Sequence, residues 1–520
     1  MKKLLSLIML VSVLVSPGFM FSQLEEPMEK KLTLKDAIFY GLKNNLDLQI
    51  QKTAVQSNWE SLRIAKSIYI PTLNIDSYYG SSLTPSTNVY DAVDVVESQV
   101  TRWRSSISQM LPFGGTLSFG FNTTKSDSNS LTFSVNPSID TNAGFNLSQP
   151  LLKNFGLLPT KYNIYVSANN HNMSELQLRE NIIQLVYSIE SAYWELVYAH
   201  QSHEATKVAL QRAKDLLKQN QVKEKVGTIA PIDVLSSKAQ VARNESSVIS
   251  AERIIQIREE TLKNILNMSK ENVTIVPTDT PEIESVPVDF KAFLLEALEN
   301  RPDIKRQKIN LKTNNLGVRY YKNQTLPNLR LDAGYSTYGQ GGTEWDIDYN
   351  LDPLDPNFRT QVEERTFMDS LREVLKMINK NYYFQFTLQV PIGFKEERAR
   401  LAQARINLKR ALLELKNTEN NIYKEVKDII KELESNRKLV EAERVAMQLV
   451  GENLRAEEKK LSVGLSTNFN VQEYQRQLAD AETSYLRAVI DYTLSLARLN
   501  QVLARTFKTH DIKLDDYNEE

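Results

Sequence analysis

Two stretches of this chain lack the common helix breakers, and they decide most of what it can become. Between Pro159 and Pro231 there is no proline, and between Gly156 and Gly227 no glycine. The residues between are rich in Leu, Gln, Glu, Lys and Ala, all good helix formers. A helix of about 65 residues is on the order of 100 Å long. From Lys395 to Val463 the pattern recurs, with only Gly451 as a weak point. Each stretch ends in a Val-Gly pair, and a second helical run follows, Ile232–Met268 and Asn470–Phe507. Helices this long cannot wrap around a compact core, so they must pack laterally along their length as coiled coils do.

The recurrence extends beyond the helices. Leu34 to Tyr79 aligns without a gap on Phe290 to Tyr335, with identities that include Asn44/Asn300, Asp47/Asp303, Arg63/Arg319, Pro71/Pro327, Asp76/Asp332 and Tyr79/Tyr335. Further on, Gln149-Pro150 answers Val390-Pro391, and Val226-Gly227-Thr228 answers Val463-Gly464-Leu465. The chain therefore reads as two tandem structural repeats, 23–280 and 281–507, with a polar tail at 508–520. Each repeat is ordered as helix, helix, proline-led strand, strand, long helix, Val-Gly turn and return helix. The strands fall in about 72–149 and 328–390, and the helical hairpins in about 160–268 and 395–507.

The strands alternate between apolar and polar residues. Leu73, Ile75 and Tyr79 alternate with Asn74 and Asp76, and Phe384, Phe386 and Leu388 with Gln385 and Thr387. This fits a half-buried antiparallel sheet, or a barrel with lipid outside and water within. The expected strands are Thr72–Tyr79, Ser105–Leu111, Thr116–Asn122, Leu131–Val135 and Gly144–Gln149 in the first half, and Asn328–Tyr338 and Tyr383–Val390 in the second. The tight Pro112–Gly115 turn implies an extra hairpin in the first half, which would widen a barrel, extend above it or fold inside. Gly80–Thr101 and Gly339–Asn381 read as long polar extracellular loops, the second with a short helix near Glu364–Asn379.

Composition narrows the classes. With 63 basic and 64 acidic residues there is no electrostatic footprint for nucleic acid. The absence of cysteine excludes disulfides, thiolate metal sites and thiol nucleophiles. A mean hydropathy of -0.38 argues against a bundle of transmembrane helices but not against membrane strands. Met1-Lys2-Lys3, the apolar run Leu4–Val15 and the break at Ser16-Pro17-Gly18 read as a cleavable secretory signal over 1–22, with an uncleaved anchor as the alternative.

This plan resembles the outer membrane efflux protein family, the TolC-like outer membrane factors, over nearly the whole mature chain. The most specific local match is the run from Val226 to Leu235 (VGTIAPIDVL), echoed at 463–472 (VGLSTNFNVQ). The resemblance implies a trimeric α/β barrel duct, combining an all-α coiled-coil barrel in the periplasm with a transmembrane β-barrel in the cell outer membrane. Each protomer of such a homotrimer contributes four strands and four helical stretches. It implies passive transport, as the exit channel of a tripartite efflux pump or a type I secretion system, fed by an inner-membrane transporter and a periplasmic membrane-fusion adaptor. Val226, Gly227, Thr228, Val463, Gly464 and Leu465 become candidate adaptor contacts, although the glycines also serve simply to reverse the chain. Asp233, Asn470 and Glu473 become candidates for the pore constriction. Here the chain departs from the family pattern: Asn470 and Glu473 stand where some members carry a pair of aspartates, and Ser466 replaces a basic partner.

No catalysis is expected, because nothing pairs a nucleophile with a base. No cofactor or metal is expected either: His200 and His203 stand at i, i+3 without a third ligand and read as a surface pair. Gly339-Gln-Gly-Gly342 precedes loop sequence rather than a helix and is no phosphate cradle. The rival from another class is a secreted or periplasmic coiled-coil scaffold, adhesin-like, with its strands in a soluble sandwich. No residue names the transported substrate or the cognate pump.

Overall fold

The computed structural model describes residues 28–283 and 286–512. The expected signal over 1–22 and residues 513–520 of the expected tail lie outside them. The first part of the chain runs β1 (Met28–Leu32), α1 (Leu34–Asn44), α2 (Leu46–Lys66), β2 (Thr72–Pro85), β3 (Val95–Met110), β4 (Thr116–Ser128), β5 (Val135–Pro150), α3 (Leu157–Lys225), α4 (Pro231–Leu266) and β6 (Val273–Pro277). The second part runs α5 (Phe290–Asn300), α6 (Pro302–Gln324), β7 (Asn328–Ile347), β8 (Arg359–Arg365), α7 (Phe367–Leu375), β9 (Asn379–Gln389), α8 (Lys395–Ser462), α9 (Asn468–Val502) and α10 (Thr506–Thr509).

The two breaker-free stretches form α3, of 69 residues, and α8, of 68. Neither is stable through propensity alone; each packs a narrow apolar stripe. In α3 the stripe is Ile182, Val186, Ile189, Tyr193 and Leu196, and in α8 it is Ile422, Val426, Ile429 and Leu433, spaced by four and three residues. Nearer the sheet α2 and α6 pack on these long helices, and further away α4 and α9 do, in the order α4, α3, α9, α8. Pro231 and Pro302 open α4 and α6 at the first turn, where a missing N–H costs nothing.

Between the two helical levels lies a waist. There β1 pairs in parallel with β6, and two apolar clusters gather, one around Tyr193, Ile38, Leu262 and Ile275, the other around Phe293, Val426, Ile429 and Tyr492. The Tyr193 hydroxyl lies 2.9 Å from the Asp279 carboxylate and 3.0 Å from the Leu32 carbonyl, and accepts the N–H groups of Thr278 and Asp279 at 3.2 Å. Burial pushes its pKa up to about 12. The chain does not turn into a polar tail at 508: Lys508 and Thr509 belong to α10, His510 reaches Glu190 at 3.0 Å, and Ile512 is buried in the waist.

The sheet is antiparallel throughout, in the order β2, β3, β4, β5, β7. The far edge of β7 is shared, with β9 along its first part and the short β8 along its last. The extra hairpin, β3 and β4, is thus inserted in the plane of the sheet between β2 and β5. Its turn closes through Leu111 N–H to the Gly115 carbonyl at 2.7 Å, with Gly114 at φ +89°. The sheet has seven strands, and six of them, all but the short β8, rather than four, run through its lower part.

Three strand expectations fail in an instructive way. Gly80–Thr101 is mostly strand and Gly339–Asn381 is partly strand around the short helix α7, because β2, β3 and β7 continue upward as paired ribbons. Leu131–Ser134 is turn, and the strand expected there starts at Val135. The second half has a third strand, β8. The β2–β3 loop is also structured: the Asp91 carboxylate accepts hydroxyls from Ser86 at 2.7 Å, from Thr132 at 3.1 Å and from Ser130.

Candidate functional site

Pairing register divides the sheet into two chemically distinct faces. One row across all six strands reads Leu73, Ile107, Phe119, Phe145, Tyr335 and Tyr382, each beside the next. The adjacent row, on the opposite face, reads Asn74, Ser106, Gly120, Gly144, Ser336 and Asn381. A sheet with one face against protein and the other in water would bury the apolar row. Here Leu73, Tyr382, Phe384, Phe386 and Leu388 are all exposed, so this band of the apolar face has no protein cover within the chain.

The upper limit of this belt is aromatic and slanted. From Tyr335 and Phe145, side by side, it climbs two residues per strand to Phe121, Trp103 and Tyr79. A constant climb is what tilted, staggered barrel strands produce when residues on successive strands sit at one height. The outward stretches Leu73–Tyr79 of β2 and Tyr382–Leu388 of β9 suit a band ~25 Å tall once tilted. Among the described residues two edges of the belt stay open, those of β2 and β9, and they run in opposite directions.

At the other end, the Val-Gly pairs form the two hairpin tips. Gly227 and Gly464 adopt left-handed φ of +73° and +80°. The following N–H groups of Thr228 and Leu465 reach back to the carbonyls of Lys223 at 2.9 Å and Lys460 at 2.8 Å, closing the helix ends as glycine caps do. Val226, Val463 and Leu465 point outward, the last two at 68% and 79% exposure.

The three constriction candidates share this end but not one contact network. Asp233 lies half-buried in the first turn of α4. Asn470 is exposed on α9, with its amide 3.4 Å from the Glu457 carboxylate. Glu473, half-buried on the same helix, receives Arg476 at 2.6 Å and Gln477 at 2.9 Å, while Arg476 also holds Asp480 at 2.8 Å. These hydrogen bonds, that of Arg476 first, pull the Glu473 pKa down to about 2.

Sequence reasoning missed two groups here. Glu457 is buried on α8 and takes the Ser466 hydroxyl at 2.5 Å and the Lys460 ammonium at 3.0 Å, contacts that lower its pKa. Behind the tips, Ser237 on α4 accepts amide hydrogens from Asn220 on α3 at 2.8 Å and Gln472 on α9 at 3.1 Å. All three are buried, so this polar lock ties one hairpin to the other. Higher up, Glu195 on α3 pairs with Arg487 at 2.8 Å and Arg258 at 3.3 Å.

The histidines are not the surface pair expected. His203 is buried with Nε2 3.5 Å from Glu252, and burial lowers the pKa of half-buried His200. Among the described residues no group of three or more side chains is gathered to hold a metal, and no helix is long and apolar enough to cross a membrane. Gly339 and Gly341 lie inside β7, where a side chain would strike the backbone at Ser370 and Thr366.

The family model for outer membrane efflux proteins matches residues 41–268 and 294–505. The chain belongs to the outer membrane efflux protein family. Among solved structures it resembles the Campylobacter jejuni CmeC outer membrane channel, at 15% identity and a TM-score of 0.62, covering 93% of this chain and 90% of that one. CusC, described in terms of transmembrane channel formation, superposes with a TM-score of 0.63 at 15% identity over 90% and 91% of the two chains. The open Neisseria gonorrhoeae MtrE outer membrane channel gives 0.59 at 16% identity over 90% and 88%. These likenesses establish the fold. No curated protein matches by sequence.

Proposed function

We propose that three copies of this chain form the outer-membrane exit duct of a tripartite efflux or type I secretion assembly, passive itself and fed by an inner-membrane transporter through a periplasmic adaptor. The observation that carries the reading is the uncovered apolar face spanning six strands, with a polar reverse and two open, oppositely directed edges. One chain cannot roll six strands around a water-filled lumen, whereas 16–18 strands leave an aqueous channel. Six strands from each of three chains meet that requirement, and β9 of one copy then lies antiparallel to β2 of the next. The helices support the same count. Beyond the waist, α4 exposes Ile232, Ile249 and Ile257, and α8 exposes Leu439, Val445 and Leu449, leaving both sides of the helical layer in need of neighbours.

Within this assembly the two halves act as tandem repeats that each return a strand group to the membrane end and a hairpin to the periplasmic end. The tips around Val226, Gly227, Thr228, Val463, Gly464 and Leu465 serve as adaptor contacts. Asp233, Asn470 and Glu473 narrow the pore just above them. The test is reconstitution of the full-length protein in planar bilayers beside gel analysis of unheated samples. Ion current and heat-sensitive trimers are expected. A water-soluble monomer without current would support the scaffold instead and overturn the duct.

A further inference from the structure

The helix α7 occupies an unusual place. It packs on the apolar side of the sheet, directly above the aromatic limit of the belt, and not over the lumen. Ser370 lies 2.9 Å from Thr141 Oγ1, and the Thr337 hydroxyl donates to the Val374 carbonyl at 3.1 Å; both threonines share the face of Phe145 and Tyr335. Gly339 and Gly341 remove the side chains that would hold the helix off the strand. A capping box between Thr366 and Asp369 fixes its start. This is a seated element, not a loose loop.

Apart from Arg372, which is exposed and pairs with Asp369 at 2.8 Å, what it shows to the outside is apolar. Ser370 and Val374 face the sheet, whereas Met368, Leu375 and Ile378 are 60%, 72% and 59% exposed. Met377 brings its sulfur to 3.7 Å from the Tyr335 hydroxyl, which makes this surface continuous with the belt. Two exposed lysines, Lys376 and Lys380, follow at the same height, the second on the outward face. Apolar residues joined to a lipid-facing band and flanked by cations are the signature of a helix lying at the boundary between acyl chains and head groups.

We propose that α7 is an interfacial helix that dips into the outer lipid leaflet and sets the depth of each protomer, with its lysines at the level of lipid phosphates. The inference rests on the belt being lipid-facing. Because the chain has no cysteine, single labels are clean. Leu375→Cys and, separately, Phe384→Cys are labelled with an environment-sensitive fluorophore in the full-length trimer, in phosphatidylcholine vesicles. The vesicles carry nitroxides either near the head group or near the chain end. For Leu375→Cys, loss of most of the signal with the shallow nitroxide and little with the deep one is expected. For Phe384→Cys the deep nitroxide should be the stronger quencher. If the Leu375 label ignores both nitroxides, whether open to aqueous iodide or shielded by a neighbouring copy, while the Phe384 label is quenched, the interfacial role of α7 is overturned and the belt stands. Failure at Phe384 overturns the belt itself.

Discussion

At the scale of single residues, the tips contrast two ways of holding a carboxylate. Glu457 is buried among donors from its own helix, the hairpin tip and α9, namely Lys460, Ser466 and Asn470, while Glu473 is half-exposed and held by Arg476. A carboxyl group whose folded pKa lies near 2 adds stability that is complete above its ordinary value of about 4.5 and fades as pH falls toward 2. If Glu473 lines the constriction, cation selectivity of the reconstituted pore should therefore persist through pH 4. Arg476→Ala should move the loss of selectivity up toward the ordinary carboxylate range, and Glu473→Gln should abolish it at every pH. Identical pH profiles for the native protein and Arg476→Ala would show that the pair does not set the pore charge. Ser237→Ala tests the polar lock. It strips the acceptor from Asn220 and Gln472 together, at a cost of about 1–3 kcal/mol for buried donors left unpaired. Amide hydrogen exchange in the first turns of α9 should accelerate by roughly the factor of 5 to 150 that this range implies. Unchanged exchange there would mean that the apolar contacts of Leu216, Val471 and Leu478 hold the tip unaided.

Individual elements behave as their pattern dictates, and the belt makes the sharpest test. Phe386 and Gln385 are sequence neighbours on opposite faces of β9. Phe386→Arg puts a charge on the lipid side, costing about 2–4 kcal/mol near mid-membrane, whereas Gln385→Arg points into water and should cost little. The temperature at which the trimer dissociates on gels should drop for the first and stay for the second; equal behaviour would remove the assignment of faces. The same alternation explains what was legible beforehand. Leu73, Ile75 and Tyr79 announce β2, yet its upper half, Gly80-Ser81-Ser82, is polar on both faces, and such a ribbon looks like loop until its partner in β3 is known. The helices were plain because α3 and α8 lack breakers over their whole length. The seat of α7 was not, since Gly339 and Gly341 reveal their purpose only when Ser370 and Thr366 come against them. Nor could the lock be seen, because Ser237 and Gln472 belong to different halves of the chain and meet only after the hairpins pack side by side.

For the whole molecule, closure is the property that no single chain displays and that the open edges demand. An unpaired β2 and an unpaired β9, each flanked by exposed apolar side chains, would be an aggregation hazard unless another strand covers them. Parity gives a strict rule for how they meet: a one-residue slip would swing the lipid side of one copy onto the lumen side of the next. Ile75→Cys, on the apolar face, should therefore form a disulfide with one of Tyr382→Cys, Phe384→Cys or Phe386→Cys when each pair is tried in turn. It should not do so with Gln385→Cys, whose sulfur would emerge on the other face. The natural chain holds no cysteine, so any bridge observed is the introduced one. Mild oxidation in membranes should yield a species of three covalently linked chains that survives boiling in detergent. A bridged species that runs as a single chain would mean that the sheet closes on itself, and the absence of bridging at all three positions would mean that β2 and β9 are not neighbours in the assembly.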